Sequence, residues 1–299
     1  MTTLVKLQIW EKEGDKVRLE YQVKQDIVEV GRRIYNLGFV ASNDGNITVR
    51  INDNEVLTTP TGVSKGFMTP DMIIKVNMKG EVISGKLKPS SELKMHLDVY
   101  NNRPDVRSVV HAHPPTATGF AVAGIPLDRF VLPEIIISLG SIPIARYGTP
   151  STDEIPLAVR EYLQDHDAFL LANHGALTVG TDAFNAFYKM ESMELFAKIS
   201  FTARTLGRER ELDSQQVTKL MEVREKLGVK GKHPNCLNCN VSTCNSNSPQ
   251  SAGETQAGAC EGSAATGIQP QAGASELDEA QLNQLVSKVT QNILNKLGR

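Results

Sequence analysis

The chain has 299 residues, 40% of them hydrophobic, so it can bury a sizeable core in one or two domains. A formal net charge of −2 and a pI near 6.3 exclude the basic excess that would steer it to nucleic acid or anionic lipid, and a small molecule ranks first among partners. The N-terminus lacks a basic segment followed by an apolar run, and no stretch of about 18 apolar residues occurs. A soluble, cytoplasmic protein without nucleic-acid or membrane partners is therefore expected.

Residues 1–22, "MTTLVKLQIWEKEGDKVRLEY" and the position after it, read as a small hairpin around Glu13 to Asp15, an N-terminal extension that closes at residue 23. From residue 24 to 229 helical and strand-like patterns alternate. "QDIVEVGRRIYNLGF" places Ile27, Val30, Ile34 and Leu37 at helical spacing, and "GNITVRI" follows as a strand. Short strands are expected in "EVLTTP" and "MIIKVNM", then a helix in "SSELKMHLDVYNNRP" that stops before Pro104. "VRSVVHAH" and "DAFLLANHGALTVG" are the most β-rich segments, and a long helix runs from Asp182 to Gly207. These elements predict an α/β domain whose sheet is covered by helices.

From Pro234 to Ala274 the composition turns to Asn, Ser, Gly, Ala, Gln and Thr, so residues 230–274 are expected to form a flexible linker. Its "CLNCNVSTC" gives Cys236, Cys239 and Cys244, which could take His233 or Cys260 as a fourth metal ligand or remain as redox-sensitive thiols. All four cysteines lie beyond residue 230, so the preceding domain folds without a disulfide. Residues 275–299 predict an amphipathic helix: Ser275 caps it, acidic residues fill the first turn, and Leu282, Leu285, Val286, Val289, Ile293 and Leu297 form one stripe.

Two constellations before residue 229 carry chemistry. His111 and His113 stand two apart at the end of a β-branched run, where both side chains of a strand point to one face. Such a pair chelates a metal or simply alternates along a half-buried strand. His174, followed by Gly175 at the end of another apolar run, adds a third imidazole, and three neutral imidazoles with an open fourth position commonly hold a catalytic zinc. His96, His166 and His233 lack such settings and are read as surface or helix-face residues. The second constellation is "KPSSELKMH": Ser90 and Ser91 lie at a helix start, where free N–H groups and the helix dipole favour an anion, although Ser-Ser-Glu is also a capping sequence. Gly45 with Asn46, and Thr61 with Gly62, sit in two turns that could add donors or be plain loop turns.

Taken in order, "GNIT", "TPTG", "PSSE", "HAHP" and "NHG" resemble the class II aldolase/adducin family, and within it the L-fuculose-phosphate aldolase branch, over residues 24–228. The resemblance implies a layered α/β/α domain with a central, mainly antiparallel sheet. It implies one Zn2+ per subunit on His111, His113 and His174, and Glu92 as catalytic acid/base that can also fill the metal's fourth position. Gly45, Asn46, Thr61, Gly62, Ser90 and Ser91 match the family's phosphate-binding residues. The implied activity is cleavage of a ketose 1-phosphate to dihydroxyacetone phosphate and a short aldehyde by a homotetramer with active sites between subunits.

One departure stands out. The family's aldolase has a tyrosine at the aldehyde end, and "FVLPEIIISLGSIP" has none: Leu132 falls near that place, with Glu134 close by as a polar substitute. Pentulose-phosphate 4-epimerases share the zinc site, but the segment after "HAHP" lacks their Thr-Thr-His and Asp-Tyr pattern. Other zinc lyases of the fold and an adducin-like, non-catalytic scaffold are the remaining alternatives. The tethered helix 275–299 resembles the encapsulation peptides that bind shell proteins of bacterial microcompartments, a setting in which a reactive aldehyde is retained.

Overall fold

A computed structural model describes residues 2–229, with side chains from residue 19 onward; the linker expected over 230–274, with its cysteines, and the helix expected over 275–299 lie outside the described residues. In chain order the elements are α1 (Thr2–Asn36), β1 (Asn46–Arg50), β2 (Glu55–Thr58), β3 (Ile74–Asn77), β4 (Val82–Ser84), α2 (Leu93–Asn102), β5 (Ser108–Ala112), α3 (Pro115–Ala123), α4 (Pro133–Ser138), β6 (Ile144–Ala145), α5 (Glu154–Arg160), β7 (Ala168–Leu171), β8 (Gly175–Gly180), α6 (Ala183–Thr205) and α7 (Ser214–Lys226).

The eight strands form one sheet in the order β4-β3-β2-β1-β5-β8-β7-β6. Every pairing is antiparallel except β6 with β7, as the family resemblance implies. Strand alternation divides the core. Ile47, Val49, Val110, Ala112, Leu170 and Ala176 pack with α1, α3 and α6 on one face. Val56, Val109, Phe169, Leu177 and Val179 pack with α2 and α5 on the other. Covered on both sides, β5 and β8 are buried along their whole length, which is why they read as continuous apolar runs.

Ile27, Val30 and Ile34 bury their side chains completely, as their spacing predicts. Leu37 does not: it follows the last helical residue and is 46% exposed. The hairpin expected around Glu13 to Asp15 is also corrected, because α1 runs unbroken from Thr2 to Asn36. A lone glycine costs a helix about 1 kcal/mol relative to alanine, which the good helix formers on either side of Gly14 offset. The segment "DAFLLANHGALTVG" resolves into β7 and β8 joined by a tight turn in which Asn173 adopts φ 54°. No helix among the described residues is long and apolar enough to cross a membrane.

Candidate metal and substrate site

Strand direction gathers the site at one end of the sheet. β1 starts where the antiparallel β2 and β5 end, and β8 starts opposite the end of β5: Asn46 pairs with His111, Thr48 with Thr58, and Ala112 with Ala176. Gly45, Thr61, His113 and His174 follow or precede these strand ends and are thereby drawn to the same edge. Asn46, Thr48 and His111 share the face that α2 covers, and α2 brings Glu92 and His96 onto them.

His111 is fully buried, and its Nδ1–H donates to the Ala176 carbonyl at 2.8 Å, which leaves the Nε2 lone pair free to bind. His113 lies just past β5, held by its backbone N–H on the Phe39 carbonyl at 2.8 Å, and its Nε2 is 3.3 Å from His111 Nε2. His174 occupies the β7–β8 turn, with its N–H on the Leu171 carbonyl at 3.0 Å. The imidazole centroids are 4.8 to 5.3 Å apart, and one ligand atom from each ring lies within 4.8 Å of the others. Glu92 completes the group: Oε2 is 3.4 Å from His111 Nε2, and Oε1 is 3.3 Å from His174 Nε2.

Two backbone features make this convergence possible. Gly45 adopts φ 74°, and a Cβ there would meet Val40 Cγ1 at 2.6 Å and the His111 carbonyl at 3.0 Å, so only glycine admits the turn into β1. At Gly175 a Cβ would stand 2.5 Å from His113 Cδ2 and 2.7 Å from the Ala112 carbonyl.

The electrostatics describe a cation site. Burial pushes the His111 imidazole down to about 4, with Glu92 opposing, and lowers His174 in the same way, so both rings are neutral near pH 7. Burial raises Glu92, but His111, His174 and the hydrogen bond from Asn46 Nδ2 at 2.8 Å outweigh it and hold the carboxyl below its ordinary range. The His111 Nε2 lone pair therefore faces an anionic carboxylate at 3.4 Å, and the neutral His174 ring places its Nε2 3.3 Å from the same group. Asn46 Oδ1 and Glu92 Oε1 are in addition buried without a hydrogen-bond partner. Such a surplus of acceptors is unfavourable until a cation sits among them. Tetrahedral ligands about 2.0–2.1 Å from an ion are about 3.3–3.4 Å apart, the separation already found for His111 Nε2 with His113 Nε2 and for Glu92 with His111 and His174, while the three imidazoles as a set spread to 4.8 Å.

The expected anion-binding residues are brought to the same edge by backbone contacts. Thr61 N–H donates to the Lys88 carbonyl at 3.0 Å, Ser90 N–H to the Thr59 carbonyl at 3.3 Å, and Ser90 Oγ accepts from Glu92 N–H at 3.3 Å. The helix itself begins at Leu93, so Ser90, Ser91 and Glu92 form a turn that leads into it. The Asn46 side-chain amide is engaged by Glu92. Leu132 caps α4, and Glu134 lies in its first turn.

Several residues of the site carry no sequence signal of their own. His96, expected at a surface or on an exposed helix face, is wholly buried: its Nδ1 is 2.9 Å from Thr48 Oγ1, which contacts Tyr100 Oη at 2.7 Å. Its place four residues after Glu92 on α2 turns it inward. Asp44 Oδ2 lies 3.8 Å from His113 Nδ1. Glu194, buried in α6, accepts the N–H groups of Thr116 and Ala117 at 3.1 and 2.8 Å and so clamps the first turn of α3, directly after His113.

Known proteins agree with this geometry. The sequence model of the class II aldolase and adducin N-terminal domain matches residues 25–201. The 3-oxo-tetronate 4-phosphate decarboxylase of Escherichia coli is 30% identical over 192 residues, 63% of this chain and 90% of that one. The L-fuculose phosphate aldolase of Methanococcus vannielii is 34% identical over 176 residues, 59% of this chain and 94% of that one. A solved structure of L-fuculose 1-phosphate aldolase matches with a TM-score of 0.64 at 29% identity, covering 68% of this chain and 96% of that one. With the ordered motifs, the sheet and the histidine cluster in agreement, the chain belongs to the class II aldolase and adducin N-terminal domain family.

Proposed function

We propose that His111, His113, His174 and Glu92 hold one Zn2+, and that the protein is a lyase that breaks a carbon–carbon bond beside the ketone of a small phosphorylated sugar. The observation that carries this reading is the convergence of three imidazoles, with one ligand atom of each within 4.8 Å of the others, and of the Glu92 carboxylate at 3.3 and 3.4 Å from two of them. The substrate we favour is a ketose 1-phosphate resembling L-fuculose 1-phosphate, with dihydroxyacetone phosphate and a short aldehyde such as lactaldehyde as products.

When bound, the dication supplies Lewis-acid charge to the oxyanion that develops as the bond breaks. In the cleavage, the bonding pair between the third and fourth carbons becomes the enediolate, the fourth carbon leaves as an aldehyde after losing its hydroxyl proton, and a proton is added at the third carbon. Glu92 would move that proton, a role supported by its hydrogen bond from Asn46 and its partial desolvation. Gly45, Asn46, Thr61, Gly62, Ser90 and Ser91 hold the phosphate at the adjoining turns.

A second reading has its own support, the 30% identity to a 3-oxo-tetronate 4-phosphate decarboxylase. Its substrate is a β-keto acid phosphorylated at the far end. Loss of CO2 leaves the same enediolate of dihydroxyacetone phosphate, so the same carboxyl would add the proton. Zinc-loaded protein incubated with fuculose-, rhamnulose- and ribulose-1-phosphates and with 3-oxo-tetronate 4-phosphate separates the two: an aldehyde beside dihydroxyacetone phosphate supports the aldolase, CO2 the decarboxylase, and neither product rejects both.

The proposal extends to assembly. A homotetramer is the assembly we favour, and the exposed apolar residues Tyr188, Leu195 and Ile199 along α6, with Leu206 at its C-cap, support self-association. Residues 24–229 would form the catalytic domain and 275–299 the segment that binds microcompartment shell proteins. Deleting 275–299 should leave cleavage intact and abolish co-purification with shell proteins; unchanged co-purification rejects that role.

A further inference from the structure

Lys65 is the buried cation that the chemistry above leaves unused. It is 1% exposed, at the start of a short 3-10 turn, Lys65–Phe67. Its backbone is fixed by α1: a Cβ at Gly31 would stand 2.7 Å from the Lys65 carbonyl, so helix and turn are in direct contact. Two of the three ammonium N–H groups donate to backbone carbonyls, to Asn43 at 2.9 Å and to Val63 at 2.8 Å. These carbonyls belong to different loops. The first continues into Asp44, Gly45 and Asn46; the second carries Thr61 and Gly62 and is itself bonded to the segment that holds Ser90.

Lysine is almost never buried without a charge partner. Yet among the described residues no carboxylate lies within 4 Å of Lys65 Nζ. Burial lowers its pKa to about 8, with Asp44 opposing, so the ammonium keeps its charge near neutrality. The hydroxyl of Ser64, its neighbour in sequence, is buried without a hydrogen-bond partner. A positive charge with no carboxylate within 4 Å among the described residues thus ties together the loops that carry the Gly45 and Gly62 turns, next in sequence to a buried hydroxyl without a partner.

We propose that Lys65 is a positioning residue for the substrate phosphate: its ammonium ties the 43–46 and 61–64 loops into one cradle, and the bound phosphate adds to the distant charge of Asp44 the nearer negative charge that the buried cation lacks. This rests on the reading that those loops take a phosphate. Charge-assisted hydrogen bonds are the strong ones, and a dianion lodged over loops held by an ammonium gains both from the preset geometry and from the field.

Lys65→Met keeps the stem and removes the charge. In the zinc-loaded full chain, the dissociation constant for inorganic phosphate and the KM for the phosphorylated substrate should rise roughly 10- to 100-fold. The kcat should fall several-fold less, and the absorption spectrum of the cobalt-substituted protein should be unchanged. Phosphate affinity equal to wild type overturns the inference, as does a variant in which phosphate affinity, cobalt spectrum and kcat all decline together. A measurement on the wild type guards against a variant that does not fold. Inorganic phosphate should slow amide exchange in 43–46 and 61–64 together, and protection of one loop without the other overturns it. Should phosphate protect both loops while no sugar phosphate is cleaved, the lyase reading fails and the role of Lys65 stands. Cleavage with undiminished phosphate binding by Lys65→Met rejects the role of Lys65 alone.

Discussion

Asn46 and His111 stand opposite each other on adjacent antiparallel strands, and both reach the same carboxylate: Asn46 Nδ2 donates to Glu92 Oε2 at 2.8 Å, and His111 Nε2 lies 3.4 Å from that oxygen. The sheet register thus fixes where Glu92, the proposed acid/base, sits relative to His111, a proposed metal ligand. Glu92→Gln preserves shape and the Asn46 contact but removes the proton-transfer group. Turnover should fall by roughly 10²- to 10⁴-fold, the usual contribution of a positioned acid/base. Steady-state kinetics beside metal analysis checks this, with the three histidines still retaining metal.

Gly175 tests how tightly the third histidine turn is packed on the second. Gly175→Ala places a methyl group 2.5 Å from His113 Cδ2, so the ring must move. Metal affinity should weaken by at least the roughly 10- to 100-fold typical of losing an outer-shell support. Competition with a chelator reads it out, and affinity equal to wild type would show that the turn is free to relax.

Glu194 makes the clamp on α3 measurable. Glu194→Ala leaves the buried N–H groups of Thr116 and Ala117 unpaired, which should cost about 2–4 kcal/mol of stability. Urea denaturation of the metal-free protein gives the number. Metal binding should weaken as well, since this turn begins immediately after His113 and Pro114.

Acid should destabilise the metal-free protein through His96. Burial, with a smaller contribution from His111 and against the pull of Glu92, drives the His96 pKa down to about 3 from the ordinary 6.5. A folded-state pKa below the unfolded one means that the unfolded chain binds the extra proton, so stability is full above about pH 6.5 and is lost as pH falls toward 3. The slope amounts to a few kcal/mol over that range. Denaturation midpoints between pH 4 and 7 should fall with acid in the wild type and more gently in His96→Leu.

Much of this architecture was legible in residue order. Ile27, Val30 and Ile34 mark the buried stripe of α1, the β-branched runs around His111 and Leu177 mark the central strands, and the motifs from Gly45 to His174 mark the site edge. Other features depended on context that local pattern does not carry. Glu13-Gly14-Asp15 has turn composition but lies inside a helix whose flanks outweigh one glycine. The exposed β4 and the two-residue β6 bury too little to leave a periodic signal. The start of α7 was written plainly, in an Asp213–Gln216 capping box ahead of Val217 and Met221. Lys65, His96 and Glu194 look like ordinary surface residues until distant backbone groups are folded around them.

Three imidazoles and one carboxylate are proposed to share a single divalent ion. X-ray absorption of the full chain loaded with one equivalent of zinc tests it most directly. The expected spectrum has three imidazole nitrogens at about 2.0–2.1 Å with oxygen completing the shell, and His174→Ala loses one imidazole from it. Zinc bound through fewer than three imidazoles in the wild type, or a spectrum unchanged by His174→Ala, would contradict it.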